Sequence, residues 1–294
     1  MLNKLEMLIA LSKEQHFGRA AAYLGITQPT LSAGIRQLED QFGVKLVHRG
    51  SRFGGLTPEG QRALTWARQI VGDARKLREE MRATRDGLSG HLRLAVVPTA
   101  LTWASDLVCR VNQAYENITF SVLSRSSTEI LQMLDDLEID AGLTYLDNEP
   151  LGRVTTIPLY QERYVLICRP DHALANQTTL TWDQVATCRL CLLTPDMQNR
   201  RIINHQFQSV GAEPVALIES NSTVVLTRNV VNGDWATILP VDLAEFLVGE
   251  RGLAMVPIAQ TPPCPTVGLV APHQEPFTPV LQAFLDTARP LANL

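Results

Sequence analysis

Through residues 3 to 42, apolar side chains recur at helical spacing, with breaks where helices end. A first helix is predicted over residues 3–13, and a second short helix follows Phe17. Thr27 is suited to cap a third helix from Gln28, because a threonine hydroxyl accepts a hydrogen bond from an exposed backbone N–H. The third helix has one apolar stripe, formed by Leu31, Ile35, Leu38 and Phe42. Its opposite face therefore points outward, and that face consists of Pro29, Thr30, Ala33, Arg36 and Gln37.

The pattern of residues 44–56 predicts a short β-hairpin, which is called the wing below. Gly43 ends the third helix, and a glycine-rich turn at residues 50–55 separates two short extended segments. Arg49 and Arg52 lie in or beside this turn. The wing therefore carries two positive charges next to the third helix.

One long helix is predicted from Pro58 to about Leu88, because Thr57-Pro58-Glu59 is a typical helix start. Residues spaced by threes and fours then form a narrow seam, which consists of Leu64, Ala67, Val71, Ala74, Leu77, Met81, Thr84 and Leu88. Charged residues occupy the other faces. A helix of this length with such a seam is expected to pair with a second copy, so we predict a homodimer.

From residue 91 the pattern changes to short apolar strands that alternate with helices, after a flexible break at residues 87–90. Strands are predicted at 92–97, 118–123, 141–145, 164–168, 190–193, 215–219, 237–239 and 266–271. Helices are predicted at 101–115, 127–137, 199–210, 223–232 and 279–291. This alternation indicates an α/β architecture with mostly parallel sheets, and about 200 residues exceed what one such sheet usually needs. We therefore predict two lobes.

Charge is divided unevenly along the chain. Residues 1–89 carry 14 Lys/Arg and 9 Asp/Glu, a net +5, whereas residues 90–294 carry 12 and 21, a net −9. A basic module joined to an acidic one suits a protein in which only one end contacts phosphate groups. The first residues lack a secretory cleavage pattern, and no apolar run reaches the roughly 18 residues of a membrane span. We therefore expect a cytoplasmic protein.

Residues 17–52 resemble the helix-turn-helix of LysR-type transcriptional regulators. The positions in family register are Ala20, Ala21, Leu24, Thr27, Gln28, Pro29, Ser32, Ile35, Leu38, Glu39, Gly43, Leu46, Arg49, Arg52, Leu56, Thr57 and Gly60. The resemblance covers the whole length, because this family joins such a module through a linker helix to a two-lobed domain similar to periplasmic binding proteins. It implies an α/β fold with an α-rich winged helix-turn-helix, and a sequence-specific transcription regulator that is switched by a small metabolite.

The resemblance also implies how DNA is bound. A helix that enters the major groove needs small or hydrogen-bonding residues at its N-terminal end, with arginine nearby for phosphate. The implied DNA-binding residues are Thr27, Gln28, Pro29, Thr30, Ser32, Arg36, Arg49 and Arg52. Of these, Gln28, Pro29 and Thr30 are expected to approach base edges. Taken singly, each has an ordinary alternative, such as a helix cap or a solvated surface charge.

Three positions depart from the family pattern. Ala33 and Gly34 stand where longer polar side chains are usual, and Val47 replaces a frequent aromatic residue. Glycine inside a helix costs about 1 kcal/mol relative to alanine. At Gly34 we therefore expect a close backbone approach, or simple tolerance, rather than a base contact.

The resemblance implies three parts. Residues 1–58 form a winged helix-turn-helix DNA-binding domain, residues 59–88 a dimerising linker helix, and residues 91–294 an effector-binding domain. Its first lobe covers about 91–163 and 267–294, and its second about 164–266. The expected partners are double-stranded promoter DNA, a small effector and further copies of the chain in a homodimer or homotetramer. RNA polymerase is an additional candidate partner.

Loops after the predicted strands indicate the class of effector. Hydroxyl groups and free backbone N–H groups at helix starts suit a carboxylate or a small oxyanion. The predicted effector-binding residues are Thr99, Ala100, Ser126, Thr128, Tyr145, Thr194 and Asn199. Arg125 or Arg200 could supply a positive charge. The alternative is that the threonines and serines are ordinary helix caps.

Two other classes of protein remain as alternatives. An enzyme would need a nucleophile with a base, or a paired acid and base, and no such set is apparent. A transport-associated solute-binding protein would account for residues 91–294 alone. Five scattered cysteines fit reduced core thiols, and the pair Cys188 and Cys191 lacks the other ligands of a zinc site. We expect no metal and no cofactor.

Overall fold

The computed structural model describes residues 1–48, 53–147, 150–213, 215–249, 252–259, 264–273 and 276–292. The chain divides into two compact units. The first comprises Met1–Gly87, Asp135–Glu138 and Phe277–Pro279, and the second comprises Leu88–Leu134, Ile139–Pro276 and Val280–Leu294. Within the described ranges, no helix is both long enough and apolar enough to span a membrane.

In its described residues, the first unit is built from the helices α1 (Leu2–Glu14), α2 (Phe17–Tyr23), α3 (Gln28–Phe42) and α4 (Pro58–Asp86). Helix α1 contacts each of the other three. The apolar faces of these helices meet in one core, which includes Leu8, Leu11, Leu31, Leu38 and Leu64. The predicted helices of this segment are thus confirmed.

Glu39 of α3 anchors the wing. Its buried carboxylate accepts hydrogen bonds from the backbone N–H groups of Leu46 (3.0 Å) and Val47 (3.4 Å), and it pairs with Lys45 Nζ (3.1 Å). Val47 forms an antiparallel bridge with Leu56. The two ends of the wing therefore pair as predicted, whereas residues 49–52 lie outside the described part of the chain.

Helix α4 divides its apolar residues between two faces, where the sequence analysis predicted one seam. Leu64 and Ala67 are buried in the core of the first unit, and Val71 packs against that core. A neighbouring face is exposed, and its large apolar residues are Trp66, Ile70, Leu77 and Met81. Trp66 and Ile70 were absent from the predicted seam, because the spacing by itself does not show which face of α4 the rest of the first unit covers. The helix ends at Asp86, slightly earlier than predicted.

The prediction that Phe42 completes the buried stripe of α3 is wrong. Phe42 is 44% exposed. It is the last residue of α3, because Gly43 adopts a left-handed conformation (φ 69°) and turns the chain away. Phe42 instead borders a shallow groove of about 470 Å³, together with Met1, Val44 and Trp66.

The first lobe of the second unit contains a five-stranded sheet with the order β2-β1-β3-β10-β4. Its strands are β1 (Gly90–Val96), β2 (Ile118–Ser124), β3 (Ala141–Tyr145), β4 (Val154–Gln161) and β10 (Thr266–Pro272). Its helices are α5 (Leu101–Ala114), α6 (Ser127–Asp135) and α11 (Pro279–Ala288). Short 3-10 helices occupy Pro98–Ala100 and Arg289–Leu291.

The second lobe contains two small sheets, one with the order β8-β5-β9 and one that pairs β6 with β7. The strands are β5 (Tyr164–Cys168), β6 (Leu190–Leu193), β7 (Ala216–Ser220), β8 (Thr237–Pro240) and β9 (Ala254–Pro257). The helices are α7 (Trp182–Ala186), α8 (Gln198–Ser209), α9 (Thr223–Asn232) and α10 (Val241–Val248). The chain passes between the lobes from β4 to β5 and from β9 to β10.

The prediction of mostly parallel sheets is wrong. Strand β1 is parallel to β2 and β3, and β6 is parallel to β7, but β10 is antiparallel to β3 and β4, and β5 is antiparallel to β8 and β9. The antiparallel pairs include β4, β5, β9 and β10, which flank the passages between lobes. Strand β4, which contains Pro158, and three short elements, namely β9, α7 and α10, were not predicted from the sequence.

Candidate DNA-binding surface and interlobe cleft

The first turn of α3 presents hydrogen-bonding groups to solvent. Thr27 caps the helix, because its Oγ1 accepts the backbone N–H of Thr30 (3.3 Å) and lies 2.9 Å from Thr30 Oγ1. Six of the predicted DNA-binding residues lie on this helix or its cap, and they are Thr27, Gln28, Pro29, Thr30, Ser32 and Arg36. All are exposed except Ser32, which is half-buried. Arg49 and Arg52 lie outside the described residues.

Gly34 lies on the inner side of α3. It is buried, and a Cβ at this position would overlap the sulfur of Met7 on α1. The expected close backbone approach is therefore confirmed, and it is an approach between two helices. Ala33, the other departure from the family pattern on this helix, is exposed on the outer face.

A cavity of about 390 Å³ lies between the two lobes of the second unit. The first lobe lines it with Pro98, Leu101, Ser124, Arg125, Ser126 and Glu129, and the second lobe lines it with Met197, Asn221, Ser222, Thr223 and Val224. Helix α9 begins at this cavity, and its N-cap residue Ser222 makes no side-chain cap hydrogen bond. The first turn of α9 therefore offers backbone N–H groups to a ligand.

Arg125 brings a positive charge to this cavity. Its Nη1 donates to the carbonyl oxygen of Ser124 (2.7 Å). Glu129 is the acidic residue of the lining. Its Oε2 accepts hydrogen bonds from Ser126 N–H (2.9 Å) and Ser126 Oγ (2.8 Å), which hold the carboxylate at the start of α6. An anionic group beside Arg125 would also face the first turn of α9.

A buried polar cluster joins the two lobes. Tyr145 OH donates to Glu162 Oε2 (2.8 Å), accepts from Asn199 Nδ2 (3.3 Å) and lies 2.9 Å from Thr99 Oγ1. Tyr164 OH donates to the same Glu162 oxygen (3.0 Å). Thr99 and Tyr145 belong to the first lobe, and Tyr164 and Asn199 belong to the second. Burial raises the pKa of Glu162 to about 7, and the two tyrosine hydrogen bonds oppose that rise.

The structure brings four predicted effector residues to the region where the lobes meet, and these are Thr99, Ser126, Tyr145 and Asn199. Thr194, in the turn before α8, is half-buried, and its Oγ1 has no hydrogen-bond partner within the described residues. Ala100 is buried at the end of its 3-10 helix. Thr128 is exposed and does not line the cavity.

Arg200 is not available as a counter-charge for a ligand. It is buried, and its Nη1 donates to Glu219 Oε1 (2.8 Å) and to the carbonyl oxygen of Leu193 (2.7 Å). Its neighbour Arg201 instead reaches across the cleft, where its Nη2 donates to Ser127 Oγ of the first lobe (3.3 Å). Arg201 therefore forms a further hydrogen bond between the lobes, outside the buried cluster.

Glu162 and Ser222 were not among the residues predicted from the sequence. Glu162 stands in the polar run Gln161-Glu162-Arg163, which is typical of an exposed turn. Ser222 directly precedes a helix that was predicted to begin at Thr223, so its position as N-cap was available from the sequence.

The five cysteines are free thiols, two of them buried (Cys168 and Cys191), two partly buried (Cys188 and Cys264) and one exposed (Cys109). Burial raises the pKa values of Cys168, Cys188 and Cys191 to about 11. These raised pKa values favour the protonated thiol near neutral pH, and a thiol is a weaker nucleophile than a thiolate. Across the described residues, no group of three His, Cys, Asp or Glu side chains is placed to hold a metal ion.

The chain has a winged helix-turn-helix with a capped, outward-facing helix, and this module is joined to a two-lobed α/β domain with a cavity between its lobes. These features define a DNA-binding regulator with a ligand-binding domain. Residues 2–61 match the sequence model described as "Bacterial regulatory helix-turn-helix protein, lysR family", and residues 85–292 match the model of the LysR substrate binding domain. The chain belongs to the LysR family of transcriptional regulators.

Individual relatives agree with this assignment. The chain is 28% identical over 247 residues to the HTH-type transcriptional regulator XapR of Escherichia coli K12, covering 83% of this chain and 84% of that protein. It is 26% identical over 290 residues to a hydrogen peroxide-inducible genes activator of Pectobacterium carotovorum, covering 98% and 95%. A full-length OxyR variant from Pseudomonas aeruginosa has the same fold, with a TM-score of 0.73 at 23% identity, covering 100% of this chain and 99% of that one. The chain is therefore a transcription regulator rather than an enzyme or a transport-associated solute-binding protein.

Proposed function

We propose that this regulator inserts the first turn of α3 into the major groove of promoter DNA. The observation that supports this most directly is the exposure of Gln28 and Thr30 on a capped turn, with Arg36 on the outer face of the same helix. Glutamine can bind adenine through two hydrogen bonds, and arginine contacts phosphate. Arg49 and Arg52 of the wing supply further phosphate contacts in this proposal.

Gln28→Ala is expected to relax sequence preference, whereas Arg36→Ala lowers affinity for every duplex. Loss of a bidentate base contact costs about 1–3 kcal/mol, or about 5- to 150-fold in discrimination. Loss of one phosphate contact reduces the salt slope of binding by about one. Fluorescence anisotropy measures both, with the duplex that the wild type selects from a random pool and a scrambled duplex. Gln41→Ala, an exposed change at the far end of α3, is the control. Unchanged discrimination and unchanged slope would contradict the proposed contacts.

The proposed assembly is a homodimer through the exposed face of α4, and two dimers form a homotetramer. A two-fold axis would place two recognition helices on an interrupted inverted repeat. The parts are the winged helix-turn-helix (1–58), the linker helix (59–88) and the effector-binding domain (91–294, with lobes at about 91–163 and 267–294, and 164–266). The site of action is the cytoplasm, where promoter DNA and RNA polymerase, a further candidate partner, are present.

We also propose that the effector is a small carboxylate or inorganic oxyanion in the interlobe cavity. Arg125 and the uncapped first turn of α9 supply positive potential from the two lobes. The cavity, at about 390 Å³, has the size of small-ligand sites. Of the predicted contacts, Ser126 lines this cavity, and the structure adds Ser222 as a candidate. Thr99, Tyr145 and Asn199 belong to the buried polar cluster where the lobes meet, and Thr194, Ala100 and Thr128 are not part of the lining.

Arg125→Gln is expected to weaken binding of an anionic effector at least about tenfold, because a hydrogen bond to a charged group contributes about 1.5–3 kcal/mol. Calorimetric titration of the full chain with inorganic phosphate, sulfate and a panel of small carboxylates measures this. Arg110→Gln, which changes an exposed arginine of α5, is the control. A regulator that binds only neutral or cationic compounds would refute the proposed class.

Sensing of peroxide by a thiol is the competing mode, since a relative is named for hydrogen peroxide induction. Oxidation by peroxide needs a thiolate that solvent can reach. The pKa values of Cys168, Cys188 and Cys191, raised to about 11 by burial, disfavour these residues. The described lining of the interlobe cavity contains no cysteine, and the exposed thiol is that of Cys109 on α5, outside this cavity. We therefore propose a non-covalent effector.

A further inference from the structure

Glu162 is a buried carboxyl on the connection between the two lobes. Glu162 is only 2% exposed. Its backbone N–H donates to the carbonyl oxygen of Pro265 (2.9 Å), so both passages between the lobes lie side by side at this point. One carboxylate oxygen accepts from Tyr145 and Tyr164, and the other has no hydrogen-bond partner among the described residues.

The groups that face Glu162 do not neutralise it. The titratable groups are Tyr145 on β3, Tyr160 on β4, Tyr164 on β5 and Asp242 on α10. Of these, Asp242 has the same charge as an ionised Glu162. Arg163 and Cys264 line the cavity beside the carboxyl, and the side chain of Arg163 is exposed. In the part of the chain that the structure describes, no cation is among the groups that shift the pKa of Glu162. An ionised carboxylate here is therefore buried without a counter-charge, which is unfavourable.

We infer that Glu162 is a positioning residue of the interlobe connection: its neutral form can be buried where the lobes join, beside Tyr145 and Tyr164, and loss of its proton favours separation of the lobes, because the carboxylate then needs water. The inference rests on the proposed function, because separation of the lobes matters when an effector binds between them. It makes the conformational equilibrium of this regulator dependent on pH near neutrality.

The direction of the effect follows from the pKa of Glu162, which burial raises from 4.5 to about 7. An open arrangement lets water reach the carboxylate and returns its pKa toward the ordinary value. The joined arrangement thus binds the proton more tightly. Its extra stability is present at low pH and is lost as pH rises through the pKa near 7. A cavity of about 430 Å³, which Glu162 lines with Tyr160 and Asp242, provides space beside the carboxyl for water.

Hydrogen exchange of the full chain, without effector or DNA, tests the inference. We expect the hydrogen-bonded amides of Ala100, which donates to the carbonyl oxygen of Val97 (3.0 Å), and of Arg201, which donates to that of Met197 (3.2 Å), to exchange about five- to tenfold faster near pH 8 than near pH 6, after correction for intrinsic rates. Glu162→Gln is neutral at every pH and still accepts a tyrosine O–H, so its corrected rates should not change with pH. Glu245→Gln, which removes an exposed carboxyl of α10, should behave as the wild type.

Corrected rates that are flat in the wild type, or equally pH-dependent in Glu162→Gln, would overturn the inference. If Glu162→Gln does not fold, Tyr164→Phe decides. It removes a hydrogen bond that favours the ionised carboxylate, so the midpoint of the pH response should move upward, and an unmoved midpoint would overturn the inference. Because neither DNA nor effector is present, this result is separate from the tests of DNA binding and effector class.

Discussion

Gly60→Ala is expected to destabilise the DNA-binding unit by about 2–3 kcal/mol, although alanine is the better helix former by about 1 kcal/mol. Gly60 lies in the first turn of α4, where a Cβ would overlap the carbonyl oxygen of Leu46 and lie 2.9 Å from its carbonyl carbon. That carbonyl accepts the backbone N–H of Thr57 (3.0 Å), and Thr57 Oγ1 accepts the N–H of Gly60 (2.9 Å). Neither segment can move away without breaking these hydrogen bonds.

Hydrogen exchange followed by mass spectrometry can measure this unit separately from the second one. Peptides from α1 and α3 should exchange about 30- to 150-fold faster in Gly60→Ala, the equivalent of the expected loss of free energy of unfolding. Gln61→Ala, an exposed change in the same turn, should alter the free energy by no more than about 0.5 kcal/mol. Equal exchange in the two variants would show that the wing and α4 adjust without cost.

Trp66→Glu is expected to raise the dissociation constant of the dimer at least about 100-fold. Trp66 is 63% exposed in the single chain and lies in an apolar groove with Met1, Phe42, Val44 and Ile70. In a two-fold dimer the change occurs on both copies, so two unpaired carboxylates enter an apolar contact and cost several kcal/mol. Sedimentation velocity at micromolar concentration should then detect monomer.

Thr65→Glu is the matched control, because the preceding residue of α4 is also exposed and points away from this groove. It should leave the dimer intact. In DNA binding, Trp66→Glu should lose more affinity for a duplex with two half-sites than for a single half-site, since only a dimer engages both. A dimer that survives the substitution would show that the chains pair through another surface.

The helix-turn-helix could be predicted from the sequence because its signals are local. The hydroxyl of Thr27, the spacing of Leu31, Ile35 and Leu38 and the glycine at position 43 each act within a few residues of where they stand. The same holds for strands such as β3 and β5, which are short apolar runs buried on both faces. Their bounds agree with the structure to the residue.

The pairing direction of strands could not be predicted in this way, because side-chain alternation is the same in parallel and antiparallel pairs. Strand β4 shows the difficulty. It contains Pro158, which weakens its strand signal, and it takes an outer position in the first sheet next to β10. The exposed face of α4 was misjudged for a similar reason. The rest of the first unit covers Leu64 and leaves Trp66 exposed, although the local sequence pattern does not distinguish the two residues.

The sequence alone determined that this protein has a winged helix-turn-helix with an outward-facing start at Gln28, a long helix and a two-lobed α/β domain, because periodicity, capping and family register are properties of neighbouring residues. Only the tertiary structure decided that Gly34 is a helix contact, that Arg200 is already paired and that Glu162 is buried between the lobes. Burial and partnership depend on residues far apart in the chain. Glu162 has the sequence surroundings of a surface residue, and its chemistry follows from the meeting of two connections that are about one hundred residues apart.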